Sequence, residues 1–136
     1  MFNEDVLDFI KIKEELAHHC GSTIAKEMAL ALAPMTDRKQ IQEALDETSE
    51  ALRSWQTEIE QPLGGTRDIR ESCKKSRKDF VLTREAIWDV YITIGAYKRM
   101  TKFFRTKYME YPLLSLWMQD MPNMDRVEQR LKREYD

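Results

Sequence analysis

The ten residues Gln61-Pro-Leu-Gly-Gly-Thr-Arg-Asp-Ile-Arg70 constrain this chain more than any others. Proline fixes φ and supplies no backbone donor, while glycine enters left-handed conformations that other residues avoid. The segment holds an adjacent Gly pair, half of the chain's four glycines, between two long stretches of helical apolar spacing. A helix cannot run through such a sequence. Pro62, Gly64 and Gly65 are therefore predicted to form a structural pivot, a fixed corner between two helical halves.

On both sides of the corner the apolar period is three to four. Phe9, Ile12 and Leu16, then Ile24, Met28 and Leu32, mark two short helices, with Gly21 ending the first and Ser22 capping the second. Pro34 stops the second, and Asp37 caps a third helix carrying Ile41, Leu45, Thr48, Leu52, Trp55 and Ile59. That four–three alternation is a coiled-coil-like seam with one polar break. Its outer face is acidic: Glu43, Asp46, Glu47, Glu50, Glu58 and Glu60. Beyond the corner, Thr66 or Asp68 starts a fourth helix with Ile69, Cys73, Ser76 and Phe80 facing inward. Thr83 caps the longest helix, over 84–110, whose seam is Ile87, Val90, Ile94, Tyr97, Thr101, Phe104 and Tyr108. Pro112 opens a short segment that Pro122 closes, and Asn123 caps a last charged helix. No internal repeat or low-complexity linker interrupts the chain. The expected architecture is all-α: one helical domain over 1–136, with two long, roughly antiparallel helices and several short ones.

Length and composition agree. A chain of 136 residues holds one core of useful size. No apolar run approaches the ~20 residues of a membrane span, and the acidic N-terminus is unlike a secretion signal. Two cysteines, Cys20 and Cys73, fit a reducing compartment, so a cytoplasmic location is expected. The net charge of −2 hides an asymmetry. Residues 1–65 carry six Lys or Arg against thirteen Asp or Glu, and residues 66–107 carry twelve against five. Either the halves attract each other or the basic half meets an anion.

Little of this looks like catalytic chemistry. His18, His19 and Cys20 are consecutive, so they point in different directions around a helix and cannot converge on one ion. The Gly pair precedes a helix, where phosphate can bind, but the Lys and Ser/Thr of a phosphate loop do not follow. Acidic pairs such as Asp46 and Glu50 are expected on a solvated face. No catalytic, cofactor or metal residue is assigned. The basic stripe Arg67, Arg70, Lys74, Lys75, Arg77 and Lys78 is a candidate nucleic-acid contact. It has no interleaved aromatic platform, so stacking on single strands is not indicated. Its plainer role is to neutralise the acidic third helix or to lie in solvent.

Several stretches, in order, resemble one family. They are Phe9-Ile-Lys-Ile-Lys-Glu-Glu-Leu16, Thr23 to Pro34, Leu45-Asp-Glu-Thr-Ser-Glu-Ala51, Pro62-Leu-Gly-Gly-Thr-Arg-Asp-Ile69, Val81-Leu-Thr83 and Tyr111-Pro-Leu-Leu114. The set resembles the N-terminal core and lever region of the MutS-two family, the second bacterial branch of MutS-type DNA repair proteins. Thr66 replaces the family's usual Ile, and Lys78-Asp-Phe80 stands where a Gly-Gly turn is typical. The resemblance implies a non-catalytic module that couples an ATPase to a DNA- or ribosome-engaging clamp. The implied settings are recombination suppression, DNA repair and ribosome rescue. ATP, magnesium and nuclease chemistry would belong to the full-length protein. Partners implied are the remaining domains of a longer chain, a second copy as homo-oligomer, and DNA or ribosome through the full-length protein, with no membrane. The alternative is a free-standing helical protein-interaction module.

Overall fold

The computed structural model describes residues 8–58 and 64–135. These form seven helices and no strand: α1 Phe9–His19, α2 Thr23–Leu30, α3 Arg38–Thr57, α4 Arg70–Arg77, α5 Arg84–Thr106, α6 Pro112–Trp117 and α7 Asp125–Tyr135. The all-α expectation stands. Three N-caps form as the sequence predicts, because an Ncap side chain satisfies an amide with no partner inside the helix. Ser22 accepts from the Ala25 amide at 3.1 Å, Asp37 from Gln40 at 2.9 Å and Thr83 from Ala86 at 3.1 Å.

α5 is the mast. α7 runs antiparallel along its first half: Lys98 of α5 pairs with Asp125 and Glu128 at 2.7 and 2.6 Å. At the other end of α7, the Tyr135 hydroxyl donates to the Arg84 carbonyl at 2.9 Å, and its ring lies 4.8 Å from Trp88. α6 packs on the second half of α5, where the Ser115 hydroxyl sits 2.7 Å from both the Phe104 and Tyr111 carbonyls. The two long helices do not run along one another; α3 packs on α6 instead. The apolar core is short: Ile94, Ala96, Met100, Phe104 and Tyr111 around α5, with Ala17 and Ala29 at the α1–α2 contact.

Several local expectations are corrected. α4 starts at Arg70 with Ile69 at its N-cap position. Asp68 serves it by accepting from the Arg70 amide at 3.2 Å, and Thr66 does not cap. The inward face expected for α4 is largely uncovered, with Cys73 and Ser76 exposed and Phe80 63% exposed. α5 ends at Thr106, and residues 107–110 turn sharply toward α6. α1 ends at His19, as expected just before Gly21, with Cys20 as an extended C-cap.

Candidate interaction surface

The corner behaves as a corner. Gly64 and Gly65 have φ of 123° and 80°, both in the region that disfavours a Cβ. A Cβ on Gly65 would also come within 3.3 Å of an Arg99 guanidinium nitrogen and 3.8 Å of Ala96 Cβ. The pivot residue Pro62 lies outside the described residues. Just past the pair, the Arg67 amide donates to the buried Thr93 hydroxyl at 2.9 Å, pinning the turn to the middle of α5.

The basic stripe divides in two. Arg70 is engaged: its guanidinium meets Glu27 of α2 in a fork at 2.7 and 2.9 Å and Asp68 at 2.9 and 2.7 Å. Hydrogen bonds from Arg70 hold the Asp68 carboxyl down at about 2 and hold Glu27 below the ordinary carboxylate range. Arg67 approaches Asp89 at 4.0 Å, and Lys74 pairs with Glu71 at 3.3 Å. Lys75, Arg77 and Lys78 are exposed and make no ion pair among the described residues. Arg70, one of the six candidate phosphate contacts, is thus held by carboxylates.

A second cluster joins α3 to α5 and α6. Glu50, expected on a solvated acidic face, is only 4% exposed. Its carboxylate accepts from the Leu113 and Leu114 amides at 3.1 and 2.8 Å. α6 opens on Tyr111 and Pro112 with no cap of its own, so a carboxylate from a distant helix satisfies its first turn. Glu58 is likewise drawn inward. Both its oxygens lie 2.7 Å from Lys107 Nζ, and the Tyr111 hydroxyl donates to it at 3.0 Å. The Lys107 hydrogen bond, reinforced by Tyr111, lowers Glu58 against the opposing effect of burial. Burial, then the bond to Glu58, raises Tyr111. Arg53 donates to the Glu110 carbonyl at 2.6 Å and lies over the Tyr111 ring. No local signal near Glu50 or Glu58 betrays these roles, since their partners are 49 to 64 residues away. Two cross-half ion pairs, Glu27–Arg70 and Glu58–Lys107, give the charge asymmetry a structural use.

The apolar seam of α3 faces the other way. Leu45, Leu52 and Trp55 are 56%, 55% and 63% exposed, and Thr48 is also exposed. Ile12, Leu16 and Met28 of the α1–α2 hairpin, and Leu116 and Trp117 of α6, are exposed as well. A cleft of about 520 Å³ between α5 and the chain entering α7 is open and mixed in character, with Tyr97, Lys102, Met121 and Met124 on its walls. Lys98, one of the cations on its wall, pairs with Asp125 and Glu128. Among the described residues no group of three or more His, Cys, Asp and Glu can hold a metal ion, and no helix is long and apolar enough to cross a membrane.

Fold and surface together define an extended, surface-rich all-α segment. No protein-family model and no solved structure matches it. Over 131 residues, 94% of its length, the chain is 29% identical to endonuclease MutS2 of Geobacillus sp. strain WCH70. It is 29% identical over 126 residues to endonuclease MutS2 of Pelotomaculum thermopropionicum, and 27% identical over 129 residues to that of Bacillus cereus strain Q1. It spans only 17%, 16% and 16% of those relatives' lengths. The chain is thus similar, almost end to end, to one segment of MutS2-type proteins.

Proposed function

We propose that this chain is a non-catalytic helical core and lever module of a MutS2-type protein, transmitting movement between an ATPase and a clamp that engages DNA or a ribosome. The similarity over 94% of the chain carries the reading. The pinned corner at Gly64–Gly65 supports it, because a lever needs a fixed angle between rigid elements. The exposed faces of α1, α2 and α6 are seats for the remaining domains of a longer chain. ATP and magnesium act in those domains and not here. DNA contact by this segment rests on Lys75, Arg77 and Lys78, with Arg67, Arg70 and Lys74 partly or wholly held by carboxylates.

The test is a chimera in which this chain replaces the matched segment of the Geobacillus protein. ATP hydrolysis and its response to branched DNA are expected to survive. Gly65→Val in the chimera is expected to uncouple them, leaving hydrolysis intact while the DNA response falls. A chimera whose Gly65→Val form responds normally would overturn the lever reading. ATP or DNA hydrolysis by the isolated chain would overturn its non-catalytic part.

A further inference from the structure

We propose that Phe80 and the cations beside it form a stacking platform for an unpaired nucleic-acid strand. A base lies on the Phe80 ring while Lys75, Arg77 and Lys78 hold the neighbouring phosphates. The inference deepens the proposed function and rests on the reading there that these three cations meet phosphate.

By spacing alone, Phe80 belongs to an inward face of α4 and the basic stripe has no aromatic companion. The fold changes both. At the end of α4 the Phe80 amide bonds to the Lys75 carbonyl at 3.1 Å, and the Asp79 amide to the Ser76 carbonyl at 3.2 Å. A helix stop of this kind usually packs the residue in Phe80's place on an apolar residue of the last turn. Here the positions it would meet are Lys74 and Lys75. The ring is left uncovered: Phe80 is 63% exposed, and Val81 next to it 95%. Among the described residues no other ring and no cation lies over Phe80. Thr83 caps α5 just beyond, so the connection is held at both ends. A ring presented in advance spares a ligand the cost of ordering it.

The charge beside the ring is available. Lys75, Arg77 and Lys78 are exposed and make no ion pair among the described residues, while Lys74 is taken by Glu71. Single strands are held by this combination, cations along the backbone and an aromatic face under the bases. In a duplex each base face is covered by its neighbours, and a side chain reaches it only by unstacking them. A bare ring beside free cations therefore favours unpaired positions. An anionic lipid surface is the other partner that a basic tip with apolar residues could meet. One phenylalanine and one valine make a slight lipid anchor, since stable anchoring takes two strong signals. One ring is enough for one base.

The experiment titrates the whole chain into fluorescein-labelled oligothymidylate, oligouridylate and a duplex of the same length, reading anisotropy at several salt concentrations. The single strands are expected to bind more tightly than the duplex, and the tighter of the two identifies the sugar that the site takes. Phe80→Ala is expected to weaken single-strand binding roughly 5- to 150-fold, the range a stacked base is worth. It should leave duplex binding and the circular dichroism spectrum unchanged, and Phe80→Trp should restore the affinity. Lys75→Ala, Arg77→Ala and Lys78→Ala together are expected to weaken single strands and duplex alike, reducing the single-strand salt slope by about 2. A Phe80→Ala chain that binds single strands like the parent overturns the stacking platform. If the triple alanine variant is weakened in the same series, the phosphate reading of the proposed function still stands. A triple alanine variant that binds like the parent overturns that reading and this inference together, as does a parent that binds no strand at low salt. Sedimentation with phosphatidylglycerol vesicles, lost in Phe80→Ala, by a chain that ignores every oligonucleotide would assign the tip to a lipid surface instead.

Discussion

Asp79 carries local strain. It follows α4 with φ of 58°, and around it the Phe80 amide bonds to the Lys75 carbonyl at 3.1 Å and the Asp79 amide to Ser76 at 3.2 Å. These are the two bonds of a Schellman helix stop, whose left-handed position glycine usually fills. The Lys78-Asp79-Phe80 departure from the Gly-Gly pattern thus keeps the turn and makes a side chain tolerate it. Left-handed backbone costs a non-glycine residue about 1–2 kcal/mol, less for Asp, whose side chain can bond locally. Asp79→Gly is expected to stabilise the chain by about 0.5–1 kcal/mol, raising Tm by roughly 2–5 °C. Asp79→Val is expected to lower it. Thermal unfolding followed by circular dichroism checks both, and a Gly variant no more stable than the parent would contradict the strain argument. At this scale the sequence is most legible where bonds are short-range. Ser22, Asp37 and Thr83 announce their caps because the amides they serve lie three residues on. Glu50 does the same work for α6 across sixty-three residues, and nothing beside it says so.

At the scale of elements, apolar period shows which residues share a face but not whether anything covers it. The faces of α1, α2 and α3 were readable from spacing. Their exposure was not, because it depends on which helices reach them. The α1–α2 hairpin shows the consequence. α1 and α2 pack on each other and on no other helix, and the Arg70–Glu27 fork ties the hairpin to α4. An exposed ion pair is a weak tether, typically below ~1 kcal/mol, though a bidentate Arg is the better sort. The hairpin is therefore expected to be latched rather than cemented. Because Arg70 lowers Glu27 below the ordinary carboxylate range, the latch holds fully above that range and is lost as pH falls through the depressed value. Cys20 on the hairpin and Cys73 on α4 provide native labelling sites across it. Spin labels there should give a narrow distance distribution at neutral pH. It should broaden in acid, and in Glu27→Gln at any pH. A Glu27→Gln distribution as narrow as the parent's would show that something other than the ion pair fixes the hairpin.

For the molecule as a whole, the decisive quantity is surface. Unfolding a chain of this mass exposes about 23,500 Å² in total, and a compact fold leaves about 7,500 Å² of that accessible. This chain leaves 11153 Å² accessible, so unfolding adds only about three-quarters of the surface that a compact protein of equal size would add. The origin is visible in the elements. One mast, α5, carries most of the core, while α3 and the hairpin reach outward with apolar faces open. The slope of stability against denaturant scales with newly exposed surface. The urea m-value of the single chain should then be about three-quarters of that of a compact protein of the same length. A slope at the full compact value would mean that the outlying helices fold back over their apolar faces in solution.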